Sequence, residues 1–247
     1  NERLYRDWNW TKTNDGGHGH VNIEKALYRS CNVYFYDLAV RLGIDRLSQD
    51  LKQFGFGQVS VLDLPDADAG LLPSRAWKRA SRNLPWYPGD TVNLGIGHGD
   101  ILVTPLQMAM VAAAIANQGV LMKPRLVDLV VASNLNVLSQ PEPVVLSSPM
   151  SKLTAGFLTR MMVDSVNSGA ATKAQIEGVA VAGKTGTAEN GINDPYTLWF
   201  TGFAPAEAPR VAVAVVVEDG GGAGQNGTGN QIAAPIARLV IEAVLKK

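Results

Sequence analysis

Apolar and β-branched residues in the last third of the chain occur in short runs that turn residues separate, a pattern typical of β-strands. Such runs cover Val179–Ala182, Tyr196–Phe203 and Arg210–Glu218, and a further one covers Arg125–Ala132. Strands that follow one another closely and are joined by turns form antiparallel sheets. We therefore expect an antiparallel sheet in the last third of the chain.

Elsewhere apolar residues recur every three to four positions, which predicts helices. N-cap and stop residues such as Asn22, Thr104 and Gly119 set several of their bounds. The predicted helices cover Asn22–Arg29, Val33–Leu42, Asp45–Phe54, Thr104–Gly119, Pro149–Asn167 and Ile232–Leu245. Residues 1–20 and 55–100 lack a sustained period and are predicted as loops, the second with small helical pieces. The predicted fold class is α/β, of the α+β type: an antiparallel sheet flanked by helices, with a mostly helical subdomain.

The charge of the chain is balanced, with 22 Lys and Arg against 22 Asp and Glu. Such a chain has no overall field that would attract nucleic acid, so no nucleic-acid partner is expected.

Cys31 is the one cysteine among 247 residues, which excludes an intrachain disulfide. The longest apolar run, Val211–Val217, is far shorter than the roughly 18 residues of a membrane span. Because the chain opens on Asn1 without a leader or an initiator methionine, we expect it to be part of a longer protein.

The first strand-like run continues directly into Lys184-Thr185-Gly186-Thr187. A lysine, two hydroxyls and a glycine at the rim of a sheet offer a positive charge, hydrogen-bond donors and an open backbone. This combination suits an extended substrate that carries a carboxylate. The alternative is an ordinary polar strand end.

The same stretch also spells a nucleotide-binding motif, because Gly178 to Thr185 satisfies the phosphate-loop pattern G-x-x-x-x-G-K-[ST]. A phosphate loop needs a glycine-rich turn between a strand and a helix, so that helix N-terminal amides face the phosphates. Here the variable positions are strand-forming Val and Ala, and no helix is predicted after Thr185. The context therefore argues against nucleotide binding.

A second motif, Ser30-x-Asn32, interrupts the apolar face between the first two predicted helices. Together with Lys184-Thr185-Gly186-Thr187 it resembles the penicillin-interacting acyl-serine enzymes. More narrowly, the chain resembles the elongation-type class B penicillin-binding proteins, the penicillin-binding protein 2 family, over essentially its whole length. The further motifs that carry this resemblance are Gly17-His18-Gly19-His20-Val21, Tyr34-Phe35-Tyr36, Phe54-Gly55-Phe56-Gly57, Leu72-Pro73-Ser74-Arg75, Gly95-Ile96-Gly97 and Thr104-Pro105-Leu106-Gln107.

The resemblance implies a role for each motif residue in peptidoglycan D,D-transpeptidation, with a transpeptidase-like fold. Ser30 would relay a proton to the leaving amine, and Asn32 would hold the substrate amide and the base lysine. Lys184 would supply positive potential. The hydroxyls of Thr185 and Thr187 would bind the terminal carboxylate, and the Thr187 N–H would be half of the oxyanion hole. Gly186 would leave room for a peptide along the strand edge.

One departure concerns the nucleophile, which this family carries in a Ser-x-x-Lys motif. None of the twelve serines has Lys three residues on, while Ser74 and Ser148 have Lys at the fourth position and so do not match the motif. The family places this motif before Ser-x-Asn. We therefore expect residues 1–247 to be the C-terminal part of a transpeptidase domain, with its nucleophile upstream and no activity alone. A lesser departure is His98, where the family commonly has Gln.

The first 31 residues also offer a carboxylate, an imidazole and a thiolate, from Asp7, His18 and Cys31. These ligand types suit tetrahedral zinc, although a buried free thiol among loop polar groups explains the same residues. The resemblance implies that such a triad can hold a structural zinc, while the chemistry itself needs no cofactor. His20 is the competing imidazole and Asp15 the competing carboxylate.

The resemblance further implies a periplasmic domain of a protein anchored in the inner membrane. Its partners would be peptidoglycan stem peptides, β-lactam antibiotics and a glycan polymerase of the elongation machinery. Two alternatives stay open: a non-catalytic β-lactam sensor or scaffold of the same fold, and a β-lactamase. The β-lactamase is disfavoured because nothing in the chain suggests a deacylating base.

Overall fold

A computed structural model describes residues 5–10, 16–59 and 67–246. Asp15 lies outside these residues. Within them, six helices are followed by four short strands and a seventh helix, and then by a three-stranded sheet and the last helix. The helices are α1 (Ile23–Arg29), α2 (Asn32–Leu42), α3 (Ile44–Gln53), α4 (Arg75–Arg82), α5 (Pro88–Leu94), α6 (Pro105–Ala116), α7 (Lys152–Ser168) and α8 (Ala233–Leu245), with 3₁₀ turns at Thr172–Ala174, Asp219–Gly222 and Gly224–Asn226.

The sheet of the last third is antiparallel, as predicted. Its strands are β5 (Ala182–Ala188), β6 (Thr197–Ala204) and β7 (Val211–Val217), in the order β5-β6-β7. Two short antiparallel pairs join β1 (Leu121–Met122) to β4 (Val145–Ser147), and β2 (Val130–Val131) to β3 (Val137–Ser139).

Both faces of the sheet are covered by helices. On one face, Phe200 and Val213 pack with Ala237 and Ile241 of α8. On the other face, Phe203 packs with residues of α6 and α7, namely Ala112, Ile115 and Met162. The central strand β6 carries apolar residues to both faces, which explains why its pattern is nearly continuous instead of alternating.

The end of α7 joins the helical part to the sheet. The Ala170 N–H donates to the Tyr28 carbonyl of α1 at 2.9 Å, and the Thr185 hydroxyl of β5 donates to the Ala170 carbonyl at 2.9 Å. A Cβ on the neighbouring Gly169 would lie 2.5 Å from the Tyr28 oxygen. A glycine is therefore required at this close approach, which brings the end of α1 beside β5.

Several predicted bounds were wrong in informative ways. Asp45 does not cap α3, which begins at Ile44 after Gly43. The predicted strand Arg125–Ala132 is reduced to Val130–Val131, both exposed, which pair with the short strand β3. The strand predicted from the run Val179–Ala182 begins only at Ala182, whereas the prediction that Lys184-Thr185-Gly186-Thr187 lies on a strand is confirmed.

None of the helices in residues 5–10, 16–59 and 67–246 combines the length and the apolar character that crossing a membrane requires.

Replacement of Phe200 by Ala should lower stability severely, because the ring is fully buried between β6 and α8. Loss of a buried phenylalanine costs about 3–5 kcal/mol. Phe157→Ala is the matched control, since that ring lies on α7 and is 45% exposed. Thermal unfolding of the three proteins measures the difference. Equal melting temperatures for the two variants would show that Phe200 is not a core residue.

Candidate active site

Two sequence motifs 154 residues apart meet at one hydrogen bond. The Lys184 Nζ lies 2.9 Å from the Ser30 Oγ and 2.7 Å from the Thr185 carbonyl oxygen. Burial of the ammonium lowers the pKa of Lys184 to about 8. An ammonium only donates, so the Ser30 oxygen accepts from it and the Ser30 proton is available to another group.

The strand that carries Lys184 is an edge strand among the described residues, because β5 pairs with β6 alone. Register places Lys184 opposite Thr201 and Gly186 opposite Trp199, so these residues share one face. A Cβ on Gly186 would lie 3.3 Å from the Trp199 Cβ. Because Gly186 has no side chain, nothing projects from β5 at this position on the face that it shares with Lys184.

The two threonines of the motif project to the opposite face from Lys184. The Thr185 hydroxyl donates its proton to the Ala170 carbonyl. The Thr187 hydroxyl accepts the Gly229 N–H at 3.4 Å, and no described residue accepts its own proton. Because a carboxylate only accepts hydrogen bonds, Thr187 is the threonine whose hydroxyl is free to donate to one.

Asn32 is the first residue of α2 rather than part of a loop. Tyr36 lies one helical turn further on, and burial raises the pKa of its phenol. Tyr36 was not predicted as a site residue, although its spacing of four from Asn32 is the signal that places both on one helix face. Ser30 and Asn32 thus flank the turn between α1 and α2.

The structure also brings together Asp7, His18 and Cys31. His18 Nδ1 and Cys31 Sγ each lie 2.9 Å from the Asp7 Oδ2. The potential ligand atoms of the three residues all lie within 4.8 Å of one another. His20 is exposed and is not part of this cluster.

The carboxylate organises this cluster. Burial alone would raise the pKa of Asp7, but hydrogen bonds from Cys31, His18 and the Asn32 N–H outweigh it and hold the pKa below its ordinary value. Burial, and then the hydrogen bond to Asp7, raise the pKa of the Cys31 thiol to about 11. A carboxylate, an imidazole nitrogen and a sulfur this close match the ligand types of tetrahedral zinc, so the residues present fit such an ion.

Two further residues contact the site without having been predicted to do so. The Trp8 Nε1–H donates to the Ser30 carbonyl at 3.0 Å. The Glu189 N–H, just after β5, lies 3.3 Å from the His98 Nε2. Nothing in the sequence pattern signals either contact, because each joins residues far apart in the chain.

Comparison with known proteins agrees with this arrangement. The family model of the penicillin-binding protein transpeptidase domain matches residues 1–242. The peptidoglycan D,D-transpeptidase MrdA of Acinetobacter baumannii is 35% identical over 254 residues, which cover 94% of this chain and 35% of the relative.

Solved structures show the same fold. Pseudomonas aeruginosa PBP2, in complex with WCK 5153, is 38% identical with a TM-score of 0.79, and the match covers 100% of this chain and 51% of that one. Penicillin-binding protein A from M. tuberculosis, as a ceftriaxone acyl-enzyme complex, is 35% identical with a TM-score of 0.80, over 91% of this chain and 48% of that one.

The chain spans about a third of the length of the MrdA relative and about half of these solved chains. The family match covers nearly all of this chain, and the fold agrees with it. The chain therefore belongs to the penicillin-binding protein transpeptidase domain family.

Proposed function

We propose that this chain forms the C-terminal part of a peptidoglycan D,D-transpeptidase domain, which cross-links stem peptides through an acyl-serine and is a target of β-lactams. The observation that supports this most directly is the 2.9 Å contact between Lys184 Nζ and Ser30 Oγ beside an edge strand. That contact joins a cation to a hydroxyl next to a backbone that an extended peptide can pair with.

The nucleophile in this proposal is a serine on a segment outside the 247 residues, since no Ser-x-x-Lys occurs among them. Its oxygen attacks the carbonyl carbon of the substrate amide, and the carbon–nitrogen bond then breaks. The proton that leaves the serine must reach the departing nitrogen. Ser30 suits this relay, because Lys184 donates to its oxygen and leaves its proton directed elsewhere.

Recognition of the terminal carboxylate would come from β5. The Lys184 ammonium supplies the charge, and the Thr187 hydroxyl has a proton to donate. Thr185 would have to release the Ala170 carbonyl before it could donate as well. The Thr187 N–H would be half of the oxyanion hole, and one such donor lowers a barrier by about 3–4 kcal/mol.

The further parts of the proposal follow from the substrate. Peptidoglycan lies outside the inner membrane, so we propose a periplasmic location with an anchor elsewhere in the protein, and a glycan polymerase as the partner that supplies new strands.

A sensor or scaffold of the same fold is the second candidate. Labelling of the complete protein by a fluorescent penicillin separates reversible binding, which leaves no covalent adduct, from acylation.

Lys184→Ala in the complete protein should lower the rate of penicillin acylation by roughly 100-fold, because a charge-assisted contact to the proton relay is lost. Folding should be little affected, since Lys184 is a half-buried residue of the edge strand β5 and is not among the residues of the hydrophobic core. The measurement is the rate of covalent labelling together with the melting temperature. Lys52→Ala, at an exposed position on α3, is the control. A wild-type rate in the Lys184 variant would remove this residue from the site.

Acylation should also weaken as pH rises through about 8, the pKa to which burial lowers Lys184. The folded-state pKa lies below the ordinary value for lysine, so the ammonium is present below this pH and is lost above it. One unit above the pKa, about a tenth of the ammonium remains. The rate should therefore fall for a penicillin with a free carboxylate more than for its methyl ester. An equal fall for both compounds would show that Lys184 does not bind the carboxylate.

We also propose that Asp7, His18 and Cys31 hold a structural zinc. Their donor atoms lie within 4.8 Å of one another, and the ion would replace the thiol proton that now faces Asp7. A fourth ligand would come from water or from a residue outside the described ranges. The ion would tie residues 7 and 18 to the turn at Ser30.

Elemental analysis should find stoichiometric zinc in the purified protein and little in Cys31→Ser or His18→Ala, because each variant removes one of three ligands. His20→Ala should retain the metal, since His20 is exposed outside the cluster. Chelation should lower the melting temperature of the wild type and leave that of Cys31→Ser unchanged. Wild-type protein without zinc would mean that Cys31 is a buried thiol held by ordinary packing.

A further inference from the structure

Ser30 is the C-cap of α1 and has the left-handed backbone conformation that commonly ends a helix. Its φ of 58° and ψ of 47° lie in the left-handed region, which few residues other than glycine adopt. It terminates α1, and its carbonyl oxygen is one of the acceptors that a helix end leaves without an intrahelical donor. The direction of its hydroxyl depends on what holds this residue.

The donor that holds the Ser30 carbonyl is the indole of Trp8, at 3.0 Å from Nε1. Trp8 itself is held in two ways. Its backbone N–H donates to the Asp7 Oδ1 at 2.9 Å, and its ring packs edge-on against His18, with 5.8 Å between the ring centroids. Trp8 is 52% exposed.

Asp7 binds the other side of the turn between α1 and α2. Its Oδ1 accepts the Asn32 N–H at 3.2 Å. This carboxylate thereby serves the first N–H of α2, whose N-cap residue Cys31 makes no side-chain cap hydrogen bond. Two consecutive residues therefore clamp the turn: Trp8 holds the end of α1, and Asp7 holds the start of α2.

We propose that Trp8 is a positioning residue for Ser30. The cap hydrogen bonds of α1, in which the Ser30 and Cys31 N–H groups donate to main-chain carbonyls of α1, set the left-handed conformation. The indole N–H fixes the Ser30 carbonyl, so that the residue keeps the orientation that directs Oγ to Lys184. The inference rests on the proposed function, in which Ser30 delivers a proton to the leaving nitrogen. Without the indole donor, the peptide between Ser30 and Cys31 is held only through the Cys31 N–H, which donates to the Ala26 carbonyl at 2.8 Å. Ser30 then gains freedom, and its hydroxyl loses alignment with Lys184 while the rest of the fold persists.

The test uses Trp8→Phe in the complete protein, which keeps a ring beside His18 and removes only the N–H donor. We expect the acylation rate constant for a fluorescent penicillin to fall roughly tenfold, the effect of one lost hydrogen bond that aligns the proton relay. Dissociation of the non-covalent complex, zinc content and melting temperature should stay at wild-type values. Trp10→Phe is the control, since Trp10 lies in the same segment and its ring contacts Gly16 instead.

A second substrate separates proton delivery from general damage. In a thioester analogue of an acyl-D-Ala-D-Ala peptide, sulfur replaces the leaving nitrogen, and a thiolate leaves without being protonated because the thiol pKa is only about 8.5. The Trp8→Phe defect should therefore be several-fold smaller with the thioester than with penicillin.

Each outcome decides the matter. A wild-type protein that penicillin does not label overturns the proposed function together with this inference. If the wild type is labelled and Trp8→Phe is labelled equally fast, the inference alone is wrong. Equal losses with penicillin and thioester, or loss of zinc in the variant, would assign Trp8 a merely structural role and also overturn it.

Discussion

The close backbone contact around Ala170 is the constraint on which the candidate site depends. Its N–H binds the end of α1 at Tyr28, and its carbonyl accepts from Thr185 on β5. Any side chain on Gly169 would meet the Tyr28 oxygen at 2.5 Å. Because the two motifs sit on separate layers of the fold, this one residue sets the separation at which Ser30 and Lys184 can share a hydrogen bond.

Charge is arranged asymmetrically on the two sides of the turn between α1 and α2. The Lys184 ammonium meets the Ser30 hydroxyl, while the Asp7 carboxylate lies at the start of α2 and accepts from Asn32. A negative group at a helix N-terminus is favourable, because it satisfies an open N–H and complements the helix dipole. The turn is thus held by ion and dipole contacts from both sides, in addition to the backbone hydrogen bonds that cap the end of α1.

Much of the candidate site could be predicted because it consists of residue types in short motifs. Ser30-x-Asn32 and Lys184-Thr185-Gly186-Thr187 were identified from the sequence, and the structure places them together. The contacts of Trp8 and His98 could not be predicted, since they join residues 22 and 91 positions apart. The direction of the Thr185 and Thr187 hydroxyls was also inaccessible, because it follows from strand register.

By itself, the sequence determined the helices, the antiparallel sheet and the motif residues, since hydrophobic periodicity, caps and turns act over a few neighbouring positions. Only the tertiary structure decided which threonine has a free proton, that His18 rather than His20 faces Asp7, and that Trp8 supports Ser30. Such choices depend on distances between remote residues. Those distances are set when layers pack around a common core, and no local pattern records them.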